Sequence, residues 1–129
     1  MSESLFTVLN YINEGIIILN EELEILFWND QMVHLTKITS EQAIDTHLFE
    51  VLPRLKQNYL QQAFNSSLEK GYRYFFAAAM HNHLITDDAK CNLRISRFEH
   101  QDKKCLMIEC VDVTSQFTRI HQLKEYANR

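Results

Sequence analysis

Six histidines, three cysteines and seventeen carboxylates supply the side chains that acid–base, nucleophilic or metal chemistry requires. Their spacing decides whether any of them can work together. Cys91, Cys105 and Cys110 include no C-x-x-C pair, so they lack the separation of a thiolate metal site or a redox dithiol. Each falls in an apolar, strand-like stretch and reads as a free buried thiol in a reducing compartment. His81-Asn82-His83, followed by Asp87 and Asp88, brings together imidazoles and carboxylates of the kind zinc accepts. No fourth ligand is fixed by that spacing. The string reads as an exposed loop, and no metal is expected. Gly15 and Gly71 are the only glycines, which excludes a glycine-rich phosphate loop, and no nucleophile elbow is present. A small α+β enzyme of isomerase or dehydratase type would need a carboxyl at the mouth of its sheet. Glu109 is the one in-strand candidate. No catalytic residues are assigned, and the chain by itself is not expected to be an enzyme.

The stronger signal is Cys110-Val111-Asp112-Val113-Thr114. An apolar strand runs into Asp-Val-Thr and becomes helix-like at once, with Phe117, Ile120 and Leu123 recurring every three residues. Such a junction couples a sheet rigidly to an exit helix. The stripe is too short to be stable alone, so it is expected to continue as a coiled coil beyond Arg129.

The elements that must hold these residues follow from periodicity. Leu5, Val8, Leu9 and Ile12 fall at helical spacing and predict a short amphipathic helix over residues 1–13. Gly15 to Leu19 and Ile25 to Trp28 predict two strands joined by a polar turn. Asn29 or Asp30 caps a helix through Thr36. Thr39 or Ser40 opens a second, Thr46 to Leu52 forms a third, and Pro53 opens a longer one that Gly71 ends. Tyr72 to Ala79, Lys90 to Phe98 and Cys105 to Val113 predict three more strands, with a hairpin turn at His100–Lys103. The fold class is therefore α+β. It comprises a five-stranded antiparallel sheet with a block of helices on one face, plus an N-terminal and an exit helix.

Length and composition agree with one domain: 129 residues, 46% hydrophobic and 23% charged. The net charge of −4 gives no reason to expect nucleic acid. Residues 1–89 hold five basic and twelve acidic groups, whereas residues 90–129 hold eight and five. The first residues lack the basic and apolar regions of a signal peptide, and no apolar run reaches the length of a membrane span. A cytoplasmic location is expected.

The order of elements, with the residues that carry it, resembles a PAS (sensory box) domain. Glu14-Gly15-Ile16-Ile17-Ile18-Leu19-Asn20 is similar to the family's opening strand. Ile25 to Met32 is similar to its second strand and Asn-capped helix. Leu35-Thr36, Ser40 to Ile44 and Leu48 to Pro53 are similar to its helical block, and Asp112-Val113-Thr114 to its exit signal. Leu23, Lys37 and Thr46 stand where the family frequently has glycine. The resemblance implies a PAS domain over residues 14–114 and the start of a signalling helix at 115–129. It also implies a sensory or regulatory role upstream of a histidine kinase or GGDEF-type diguanylate cyclase output domain. A small molecule or partner would sit between sheet and helices, against Ile18, Trp28, Leu60, Phe64, Phe76 and Ile108. Asp112 and Thr114 would relay the signal, and Leu5, Val8, Leu9 and Ile12 would form a homodimer interface. The alternative is a ligand-free dimerisation module. No cofactor is named by the resemblance. The Asn-Cys motif for covalent flavin is missing at Gln57–Gln61, and residues 53–70 hold no histidine for haem.

Overall fold

The computed structural model describes residues 6, 8–81 and 83–127. Five strands form one antiparallel sheet: β1 (Gly15–Leu19), β2 (Ile25–Trp28), β3 (Tyr74–Phe76), β4 (Cys91–His100) and β5 (Lys103–Asp112). Their spatial order is β2-β1-β5-β4-β3. Between β2 and β3 run α1 (Asp30–Thr36), α2 (Ser40–Ala43), α3 (Leu48–Val51) and α4 (Asn58–Lys70); α5 (Thr114–Ala127) follows β5. This is the α+β architecture that the sequence predicts.

Alternation sorts the side chains onto two faces. Ile17, Leu19, Trp28, Ile95 and Ile108 turn toward the helical block and pack with Met32, Leu48, Leu60 and Phe64 in the main core. Ile16, Ile18 and Cys105 turn to the other face, where Phe6 covers them. Ile18 therefore does not line the space between sheet and helices: the residue-by-residue alternation of β1 puts it on the opposite side from Ile17.

Local chemistry explains the helix ends. Asn29 caps α1, and Thr39 caps α2 with Gln42 completing a capping box. Gly71 closes α4 in the left-handed conformation, φ 74°. Two departures from the sequence reading stand out. Pro53 opens only a 3₁₀ turn, Pro53–Leu55, because Gln57 is extended (φ −132°, ψ 147°), so α4 starts at Asn58. β3 is shorter than the apolar run suggests; at its end the Ala78 N–H leaves the ladder for the Asn92 side chain (2.8 Å). In the N-terminal segment Phe6 is helical and Val8–Tyr11 form a 3₁₀ turn, while residues 1–5 and 7 of the expected helix lie outside the described residues.

The positions where glycine was expected are informative. Leu23 (φ 62°) and Lys37 (φ 64°) do adopt the left-handed backbone that favours glycine. In the third case the left-handed residue is Asp45 (φ 68°), one position before Thr46.

Candidate functional site: the exit junction and the sheet–helix core

The exit junction is built from both ends of the long hairpin. Val113 N–H donates to the Lys90 carbonyl (2.8 Å), and Lys90 N–H donates back to Thr114 Oγ1 (2.9 Å). The Thr114 N–H donates to Asp112 Oδ1 (2.9 Å), and its hydroxyl reaches the same oxygen. Asp112 therefore holds Thr114, and Thr114 holds Lys90, the residue before β4. The Lys90 ammonium also lies over the Phe117 ring, 5.4 Å from its centre. The end of β5, the residue before β4 and the first turn of α5 are thus joined by one backbone bond and the Thr114 side chain. Beyond this turn α5 is free of the domain. None of its residues is buried, and Ile120, Leu123 and Tyr126 are exposed.

A second keystone is Asn29, which is wholly buried. Its Oδ1 accepts from Ile16 N–H (2.9 Å) and Met32 N–H (3.1 Å), and its Nδ2 donates to the carbonyls of Leu9 (3.0 Å) and Glu14 (2.9 Å). One amide ties β1, α1 and the N-terminal segment together. Sequence reasoning found only the cap; an Asn at the end of an apolar strand was the available signal for more. Next to it Gly15 lets α1 approach β1, since a Cβ there would lie 2.5 Å from Met32 Sδ and 3.2 Å from Cys110 Cβ.

Of the residues expected to line a ligand site, Trp28, Leu60, Phe64 and Ile108 come together in the main core and are buried. Trp28 Nε1 donates to the Ile38 carbonyl (3.0 Å), which satisfies the indole inside that core. Phe76 is half-buried at its edge, in an aromatic group with Tyr59 (5.6 Å) and His81 (5.3 Å). His81 Nδ1 lies 3.2 Å from the Tyr59 hydroxyl. Burial raises the Tyr59 pKa.

The other chemistry-bearing residues are also placed. Asp87 takes a bidentate pair from Arg54 (2.8 and 2.9 Å) and lies 3.4 Å from His83 Nδ1. The Arg54 guanidinium beside Asp87 lowers that carboxyl's pKa. The loop carboxylate thus serves as a strap that holds the β3–β4 loop on the helical block. Asn82 lies outside the described residues, among which no group of three or more metal-ligating side chains assembles. Burial pushes the Cys91 thiol up to about 11 and raises Cys105 and Cys110 as well, so all three are protonated at neutral pH. Glu109 is half-buried on the outer face of the sheet. Burial, a hydrogen bond from Glu14 and the Glu14 charge raise its pKa, against a smaller opposing pull from Arg94.

Of the expected dimer residues, Leu9 packs onto its own sheet, whereas Val8 and Ile12 are exposed. Leu5 lies outside the described residues. No helix among the described residues is long and apolar enough to cross a membrane.

The family model described as PAS fold matches residues 9–116. The chain belongs to the PAS fold family. Solved structures agree on the fold. The PAS domain of nitrogen regulation protein NR(II) from Vibrio parahaemolyticus is 16% identical with a TM-score of 0.63, over 82% of this chain and 94% of that one. A sensory box sensor histidine kinase from Vibrio cholerae is 17% identical with a TM-score of 0.62, over 88% and 91%. The PAS domain of an HTR-like protein from Haloarcula marismortui is 13% identical with a TM-score of 0.64, over 86% and 96%. No curated protein matches the sequence. The matched residues include the clamp at Asp112 and Thr114 and end in the first turn of α5.

Proposed function

We propose that this PAS domain is a sensory or regulatory module that acts on an output domain through α5. The observation that carries this reading is the bonding of Lys90, Asp112 and Thr114, joined to a helix that has no buried residue and is exposed beyond Phe117. Such a helix needs a partner to be stable. Ile120, Leu123 and Tyr126 offer it an apolar surface, and a second copy of the chain would align two of them. A signal that favours one arrangement of β4 and β5 would shift the population of α5 orientations. A preference of about 1–3 kcal/mol is a useful coupling. The output is a histidine kinase or a GGDEF-type cyclase, and the relatives that are sensor histidine kinases support the first. The activity belongs to that output domain and not to this chain, which works in the cytoplasm.

The test is hydrogen exchange on Thr114→Val. Loss of the clamp should speed exchange of the first-turn amides of α5 and of Lys90, with the core of the sheet unchanged. Equal protection in both proteins would remove the junction from the mechanism.

A second reading, a dimerisation module with no ligand in its core, is favoured by one observation. Trp28, Leu60, Phe64 and Ile108 are all 0–2% exposed and packed on one another's neighbours. Native mass spectrometry separates the two. Retained mass that is lost on denaturation supports a ligand-bearing sensor, and a clean dimer supports the module.

A further inference from the structure

A groove of about 920 Å³ lies away from both the main core and the exit junction, at the end of the sheet where the β1–β2 turn faces the β4–β5 hairpin. It exists because the strands differ in length. β1 stops at Leu19, paired with Leu106, while β5 and β4 continue through residues 103–105 and 98–100. The floor is aromatic. Phe6 packs against Phe27 (5.7 Å) on one side and the His100 ring (5.1 Å) on the other. Leu26, the extra residue of the β1–β2 irregularity, adds a half-exposed apolar edge.

Three further observations point to an occupant. First, His100 Nε2 is buried without a hydrogen-bond partner. A buried polar atom left unpaired is costly, and native proteins rarely tolerate one without a reason. Second, Asp45 (φ 68°), lining the groove, holds a left-handed backbone that costs on the order of 1 kcal/mol, whereas the same conformation at Gln101 and Asp102 belongs to the two-residue turn that joins β4 and β5. Third, the walls carry charges of both signs. Glu21, Glu22 and Asp45 stand on the turn side, and Lys103 and Lys104, beside Asp102, on the hairpin side. Glu21 and Cys105 both line the groove, and burial with the Glu21 charge raises the Cys105 thiol.

We propose that this groove binds a small zwitterion with an apolar or aromatic body, of the α-amino-acid type. Its ammonium faces Glu21, Glu22 and Asp45, its carboxylate faces Lys103 and Lys104, and its body lies on Phe6 and Phe27. His100 Nε2 supplies one hydrogen bond to a head group. The volume lies within the range of small-molecule sites. The site is independent of how α5 signals.

The experiment is an NMR titration of the ¹⁵N-labelled chain with L-phenylalanine, phenethylamine and 3-phenylpropionate. Phenylalanine should give saturable shifts confined to residues 20–27 and 98–106, and each one-headed analogue should bind about tenfold more weakly or worse. Leu26→Glu should abolish the shifts while the rest of the spectrum stays in place. Glu22→Gln should weaken phenylalanine and phenethylamine but not phenylpropionate, and Lys104→Gln should do the reverse. Equal or tighter binding of either analogue would overturn the zwitterion assignment. So would the absence of shifts up to the solubility of phenylalanine.

Discussion

At the scale of single residues, the fold depends on a few side chains with several obligations each. Asn29 makes four hydrogen bonds from a fully buried position. Asn29→Ala would strand the donors of Ile16 and Met32 and the carbonyls of Leu9 and Glu14. We expect a loss of about 2–3 kcal/mol in urea unfolding. Asn29→Asp should be no better, because two carbonyls would then face a carboxylate. Lys37 shows the opposite sign. It is exposed, its backbone is left-handed, and glycine relieves about 1–2 kcal/mol of strain there while adding about 0.5–1 kcal/mol of unfolded-chain entropy. Lys37→Gly should therefore raise the urea midpoint slightly. Glu109 carries the pH dependence. Its folded pKa lies above its ordinary value of 4.5, so the protonated carboxyl fits the fold better than the charged one. The stability it contributes is present below that ordinary value and is lost as pH rises through the raised folded one. Glu109→Gln, which keeps the hydrogen bond without the charge, should raise the melting temperature at neutral pH by a few degrees or less, on the order of 1–3 °C. The gain should vanish in acid. These roles were only partly legible beforehand: the Asn29 cap and the Glu109 strand position are sequence facts. The neighbours that give Glu109 its pKa, Glu14 and Arg94, come from other segments.

At the scale of elements, the periodic segments were legible and the short ones less so. β1, β2 and α1 follow from β-branched runs and a cap, signals that lie within a few residues of each other. The start of α4 did not follow. Pro53 can open a helix, but Leu55 is drawn into the core and Gln57 is extended, which restarts the helix at Asn58. Packing of a short turn against the sheet outweighs local propensity there. The β3–β4 loop is strapped by Arg54 and Asp87, residues 33 positions apart that no sequence pattern pairs. Both ends of that pair are exposed, so Asp87→Asn should leave global stability nearly unchanged. Faster proteolysis or exchange confined to the loop is expected. A change in global unfolding would show that the strap has a larger part in the fold.

At the scale of the whole molecule, α5 and the exposed Val8, Tyr11 and Ile12 offer apolar surface to a partner. If α5 pairs with a second copy, Ile120→Glu with Leu123→Glu should shift sedimentation equilibrium toward the monomer while the circular dichroism of the sheet persists. A monomer in both proteins would assign that surface to another partner. By itself the sequence determined the element order, the α+β class and the Asp-Val-Thr exit, because alternation, caps and turns are encoded by near neighbours in the chain. It also determined that Leu23 and Lys37 occupy glycine-like positions. Only the tertiary structure decided which face each strand residue takes. Ile17 and Ile18 are chemically the same, yet one enters the main core and the other lies under Phe6. The groove between the two turns is likewise a tertiary fact, since it arises from the unequal lengths of β1 and β5 once they pair. Register and relative length are properties of strands joined in a sheet, and a linear pattern read one segment at a time does not contain them.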